Sequence, residues 1–205
     1  MNEFDIKAAG WDENPVHVDR ASSIARQVLE IIPLNPGMIA LEYGAGTGLS
    51  SFLLRDHLKE ITLMDNSLEM VRIMRKKIRD SGAENLRVLK FDLEHKDYRK
   101  GKFDFIFTQM VLHHVDDTET ILRRFGDLLN SGGFLAIADL YKEDGSFHGE
   151  GFTGHRGFDP EELSGILEKY HFKNISHRPC FTINKMLTET ETRPFGLFLL
   201  VAGRE

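Results

Sequence analysis

Apolar residues recur along this chain in two rhythms, and the switches between them divide it into elements. Val18, Ala21, Ala25, Val28 and Ile32 fall at helical spacing. Asn14 offers an N-cap and Pro15 a first-turn proline, so a helix is predicted from there to Pro33. The preceding residues, 1–14, read as an irregular lead containing Phe4 and Trp11. After the turn Asn35-Pro36-Gly37, short apolar runs at Met38–Tyr43, Ile61–Met64, Leu86–Phe91, Phe103–Thr108 and Phe134–Asp139 predict strands. Helical patterns separate them. One runs over about Leu49–His57, one follows Ser67 with Met70, Val71, Met74 and Ile78 on one face, and one follows Asp116 or Asp117. Ser81-Gly82 is predicted to break the second and Ser131-Gly132-Gly133 the third. Asp159-Pro160-Glu161-Glu162 reads as a capping box opening a further helix, with His171 as a left-handed cap at its end. Two final strands, about Lys173–Ile183 and Phe195–Ala202, have no helix between them.

Strands interleaved with helices imply a mostly parallel sheet covered on both faces, with right-handed crossovers. The last two strands should pair antiparallel as a hairpin. The predicted fold class is therefore α/β, a three-layer doubly wound sheet of seven strands with an antiparallel C-terminal hairpin. Residues 1–36 are expected to form an N-terminal cap segment and helix, and 37–205 the main domain.

Composition narrows the partners. The chain has 205 residues and a net charge of −6. It has no long basic block, which argues against a nucleic-acid substrate. The densest basic run, Arg72, Arg75, Lys76, Lys77 and Arg79, lies on a predicted helix and reads as a solvated face. The one cysteine, Cys180, can form no internal disulfide and offers no cysteine metal set, so a reducing cytoplasm is the simplest setting. Met1–Gly10 has no apolar stretch of the signal-peptide kind. No uncharged apolar run approaches the ~20 residues of a membrane span.

The densest chemistry is Leu41-Glu42-Tyr43-Gly44-Ala45-Gly46-Thr47-Gly48, which follows a strand and opens a helix. Glycines there let the backbone turn sharply and a ligand approach closely, and the amides at a helix start favour an anionic group. A dinucleotide fingerprint would need a third glycine where Leu49 stands. Asp65 ends the second strand, where a carboxylate can accept both hydroxyls of a ribose. Asp92-Leu93 ends the third strand. Phe103 to Val115 then carries Gln109, Met110, Val111, Leu112, His113 and His114.

This order of motifs resembles the class I methyltransferases that use S-adenosylmethionine (SAM), in particular the methyltransferase 11 and ubiquinone/menaquinone-type groups. The resemblance covers roughly Trp11 to Ala202. It implies a Rossmann-like sheet and SAM as the cofactor. The implied cofactor-binding residues are Glu42, Gly44, Ala45, Gly46, Thr47 and Gly48 around the methionine end, Asp65, Asn66 and Met70 around the ribose, Asp92 and Leu93 at the adenine, and Gln109 beside the sulfonium. It implies nothing specific about the acceptor, which is expected to be a small molecule.

Methyl transfer from a sulfonium is an in-line displacement, so positioning and water exclusion do much of the work, and a base is needed only for an acceptor that keeps a proton. His113 and His155 are the candidate catalytic residues. Adjacent His113 and His114 should not both face the site. The loop Tyr141–Phe158 holds His148, Glu150, His155 and Arg156 among several glycines and is the candidate acceptor lid. His148, Glu150 and His155 match no metal-ligand spacing, and no metal is expected. The competing readings are an NAD(P)-dependent oxidoreductase on a related fold and a non-catalytic SAM-binding module. The sequence leaves the oligomeric state open.

Overall fold

A computed structural model describes residues 3–205. Seven strands form one sheet: β1 (Ile39–Tyr43), β2 (Glu60–Asp65), β3 (Leu86–Lys90), β4 (Phe103–Gln109), β5 (Leu129–Leu140), β6 (Phe172–Met186) and β7 (Thr192–Arg204). Their order is β3-β2-β1-β4-β5-β7-β6. The first five are parallel, and β7 runs antiparallel between β5 and β6. The expected mixed Rossmann-like sheet is thus present, closing hairpin included. Strand order reverses between β1 and β4, which opens a crevice at their carboxyl ends.

Alternation along each strand feeds two cores. Ala40, Leu63, Phe105 and Phe107 pack with Ile24, Ala25 and Val28 of α2 (Pro15–Ile31), Leu54 of α3 (Leu49–Leu54) and Met74 of α4 (Leu68–Ser81). Leu41, Tyr43, Ile106 and Ile137 pack on the other face with Ile121, Leu122 and Phe125 of α5 (Thr118–Leu128) and Leu163 and Leu167 of α6 (Pro160–Lys169). Asn14, Ser67 and Asp117 cap α2, α4 and α5 through side-chain oxygens. His171 adopts a φ of 62°, the left-handed conformation predicted for it.

Three local expectations change. The N-terminal lead is ordered as α1 (Glu3–Lys7) and a 3₁₀ stretch, Ala8–Glu13. So short a helix cannot hold itself in water; Asp5 Oδ1 anchors it at the start of α4, 2.7 Å from Ser67 Oγ and 3.2 Å from Glu69 N. Ser131-Gly132-Gly133 does not end α5, which stops at Leu128. These residues lie inside β5, at the bulge where its pairing with β4 jumps from Phe103↔Leu129 to Phe105↔Phe134. The basic run on α4 is a solvated face only in part. Arg72, Lys76 and Arg79 are exposed, whereas Lys77 Nζ reaches inward to Asp12 Oδ2 at 2.6 Å and to the Thr47 carbonyl at 2.9 Å.

The glycine-rich loop between β5 and α6 is zipped at its base. Lys142 N donates to Phe158 O, Phe158 N to Leu140 O, and Glu143 N to Arg156 O, each at 2.9 Å. Gly157 makes this possible: its φ is +72°, and a Cβ there would lie 2.2 Å from the Tyr141 carbonyl oxygen. Gly157→Ala is expected to cost about 1–2 kcal/mol in backbone conformation alone, before the carbonyl clash. Amide exchange at Lys142, Glu143 and Phe158 should accelerate while β1 and β4 stay protected. Unchanged exchange at those three amides would show that the zipper does not depend on Gly157.

Candidate active site

The crevice at the β1–β4 switch is walled by the glycine loop, the ends of β2 and β4, the N-terminal segment and the β5–α6 loop. The glycine loop's three glycines have three different surroundings. A Cβ at Gly44 would lie 2.4 Å from Val111 Cγ2, and one at Gly48 would lie 2.7 Å from Leu63 Cδ2, so both are packing positions. A Cβ at Gly46 meets nothing within 4 Å, so this glycine faces open space on the crevice side.

Asp65 joins two walls. Its Oδ2 accepts from Gly46 N at 2.8 Å and its Oδ1 from Ser67 N at 2.8 Å. One carboxylate therefore fixes the glycine loop and the start of α4. Burial pushes its pKa up, against the pull of the Ser67, Gly46 and Asn66 amides.

Of the residues singled out in the sequence, Gly44, Ala45, Gly46, Thr47, Asp65, Asn66, Met70, Asp92, Leu93, Gln109 and His113 line the crevice. Three do not. Gly48 packs beneath the loop, and Glu42 is buried under it, where its Oε2 accepts from the Ser51 amide at 3.2 Å and from the Ser51 hydroxyl. On β1 the side chains alternate, and Glu42 points to the α3 side rather than to the opening. His155 is turned away: its amide donates to His113 O, and its Nε2 lies 3.2 Å from Thr118 Oγ1. Asp92 also holds its own turn, through Glu94 N at 3.1 Å and His95 N at 3.2 Å.

Trp11 of the expected cap and His148 of the expected lid also line the crevice, and four further residues escaped the sequence reading: Phe4, His17 and Arg20 from the N-terminal segment and α2, and Phe147 from the β5–α6 loop. Arg20 lay within reach of pattern analysis, because it stands four residues before Ile24 and eight before Val28, a charge on the core stripe. It is only 6% exposed, and its Nε has no hydrogen-bond partner among the described residues. Burial lowers its pKa to about 10, with Asp139 acting in the opposite direction, so it is cationic at neutral pH. Gln109 Oε1 is likewise buried without a partner among the described residues. Met110 beside it adopts a φ of 55°, an uncommon conformation for a non-glycine residue. His113 is 1% exposed, and its Nδ1 lies 2.6 Å from Asp139 Oδ1.

Residues 41–137 match the family model described as a methyltransferase domain, methyltransferase 11. An uncharacterized methyltransferase of Schizosaccharomyces pombe is 30% identical over 165 residues, 73% of this chain and 56% of that protein. A ubiquinone/menaquinone biosynthesis C-methyltransferase of a Shewanella species is 30% identical over 122 residues, 57% of this chain and 48% of the relative. The chain thus spans about half the length of these curated relatives. Among solved structures, an N-methyltransferase of Bradyrhizobium japonicum in complex with S-adenosyl-L-homocysteine superposes with a TM-score of 0.70 at 18% identity, covering 96% of this chain and 91% of that one. Residues 41–137 match a methyltransferase domain, and the chain has the Rossmann-like fold of the class I, SAM-dependent methyltransferases. SAM is the cofactor of that class.

Glu42 gives the site a pH dependence. Burial raises its carboxyl from 4.5 to about 8, against the Ser51 hydrogen bonds that lower it. The folded chain therefore holds a proton that the unfolded chain has released, and stability falls as pH rises from about 4.5 to about 8. Glu42→Gln should lose part of that decline in thermal melts and should melt above the wild type at the alkaline end. Parallel curves for the two proteins would mean that Glu42 is ionised in the fold.

Proposed function

We propose that this chain binds SAM in the crevice at the β1–β4 switch and transfers its methyl group to a small-molecule acceptor. The observation that carries the reading is the open space over Gly46 in a crevice also lined by Arg20 and Gln109, whose buried Nε and Oε1 have no hydrogen-bond partner among the described residues. An unsatisfied buried N–H and an unsatisfied buried carbonyl oxygen each cost free energy in the free protein. The amino-acid end of SAM carries one carboxylate and one ammonium group, which match the two. Asp65 retains lone pairs for a ribose diol, and Asn66, Met70, Asp92 and Leu93 bound the adenosine side. Glu42 and Gly48 support the loop from below.

SAM supplies an activated methyl group. The chain's own residues supply orientation and dryness: Phe4 and Trp11 close one side of the crevice and Phe147 the other. His113, oriented by Asp139, stands at the acceptor end as the candidate catalytic residue, where it would meet the nucleophilic atom. His155 would act only through the backbone and ring contacts that support this corner. Of the segment expected at 1–36, Met1 and Asn2 lie outside the described residues, and 3–36 serve as the cap over the domain formed by 37–205. A small acceptor fits the aromatic lining and the net charge of −6. No helix among the described residues is long and apolar enough to cross a membrane, and a cytoplasmic setting belongs to the same proposal. Leu49 in place of the third dinucleotide glycine gives the oxidoreductase reading no support.

Arg20→Met separates binding from folding, because burial disfavours the Arg20 cation more than Asp139 favours it, so its removal should not destabilise the free protein. The variant should melt at or above the wild-type temperature, yet lose about 1.5–3 kcal/mol of SAM affinity. That corresponds to a roughly 10- to 150-fold rise in Kd by calorimetry. Unchanged affinity would remove Arg20 from the cofactor site, and absence of S-adenosylhomocysteine across a broad acceptor panel would favour a non-catalytic SAM-binding module.

A further inference from the structure

Three imidazoles meet at the acceptor end of the crevice. His113 and His114 come from the 3₁₀ turn Leu112–His114, and His148 comes from the β5–α6 loop, 34 residues further along the chain. One ring nitrogen from each lies within 4.8 Å of the other two. Ring centroids are 4.2 Å apart for His113 and His114, 5.0 Å for His113 and His148, and 5.2 Å for His114 and His148.

Three side chains support the rings from behind. The Asp139 contact at His113 Nδ1 turns that ring's Nε2 away from the carboxylate. A carboxylate behind a histidine is the usual outer-shell partner of a metal-ligating imidazole, fixing its tautomer and raising its basicity. Phe152 stacks on His148 at 3.8 Å and 15°, which fixes the third ring. Phe4 packs edge-on against His114 at 4.9 Å. Adjacent histidines on a regular helix would diverge, but the tight turn brings this pair to one side.

We propose that His113, His114 and His148 bind one divalent transition metal of the zinc class, with Asp139 as outer-shell support and open coordination positions toward the crevice. Three neutral imidazoles suit zinc, iron, nickel or copper better than magnesium or calcium, which take oxygen ligands. Three protein ligands with a vacant position is the arrangement of a reactive centre rather than a structural one. The ligand such a centre takes from the acceptor is an ionisable oxygen or sulfur. Metal coordination lowers the pKa of that atom, and the proton leaves to solvent. The freed lone pair then forms the bond to the methyl carbon as the carbon–sulfur bond of SAM breaks, leaving neutral S-adenosylhomocysteine. This role rests on the methyltransferase reading; metal binding itself does not.

The test uses the full chain without a histidine tag, stripped with chelator and titrated with zinc by calorimetry and with cobalt by visible absorption. About one equivalent of each should bind, with d–d bands for cobalt. His148→Ala and His114→Ala should each abolish stoichiometric binding, and Asp139→Asn should weaken it roughly 10- to 100-fold. Circular dichroism and SAM titration on the same samples report folding and the cofactor site. A wild type that binds SAM but no metal overturns the metal site and leaves the methyltransferase reading standing. A wild type that binds metal but no SAM does the reverse. Full metal occupancy in folded His148→Ala also overturns the assignment.

Discussion

One carboxylate organises the cofactor end of this protein. Asp65, at the end of β2, takes the Gly46 amide on one oxygen and the Ser67 amide on the other, each at 2.8 Å. The glycine loop therefore cannot move without the start of α4, and α4 carries Met70, which lines the crevice, and Lys77, which holds the Thr47 carbonyl. The N-terminal segment ties into the same knot. Asp12 bonds the Thr47 hydroxyl and pairs with Lys77, while Asp5 caps the beginning of α4. Loop, helix and cap are thus held as one unit around the carboxylate, which is how a short loop of left-handed glycines can keep a fixed shape.

Much of this was legible in the chain because its physics is local. Alternation of short apolar runs with helical stripes gave the strand sequence, and a missing helix before Phe195 gave the antiparallel finish. The glycine loop and Asp65 were readable because strand ends and tight turns constrain residue type. What was not legible depends on side-chain direction or on distant contacts. Glu42 belongs to the motif but faces α3, since neighbouring residues on a strand point to opposite faces. His155 is close in sequence to the crevice and folds away from it, because its amide is needed by the His113 carbonyl. The helical order of residues 3–13 comes from Asp5 and Asp12 meeting α4 and the loop, contacts that no local pattern encodes. His148 joins His113 and His114 only through the closed base of the β5–α6 loop, for which Gly157 is required.

The two ends of the crevice differ in character. The glycine-loop end presents backbone amides, and buried Arg20 and the side-chain amide of Gln109 line the same crevice, groups suited to a zwitterionic ligand. The other end presents three imidazoles, an outer-shell carboxylate and aromatic rings, groups suited to a soft or borderline centre. A donor with a fixed recognition pattern and an acceptor chosen by a separate corner would use them in that order. The low exposure of both Glu42 and Asp139, at 1% and 0%, places an acidic residue beneath each end. Each supports a neighbouring element without forming the surface a ligand touches: Ser51 and the start of α3 for one, His113 for the other.

The central claim is that the crevice recognises an adenosyl sulfonium and not a dinucleotide. Calorimetric titration of the purified chain with SAM, with S-adenosylhomocysteine and with NAD tests this most directly. The account predicts one site per chain for the first two and no heat of binding for NAD. Binding of NAD, or silence toward both sulfur compounds, would contradict it.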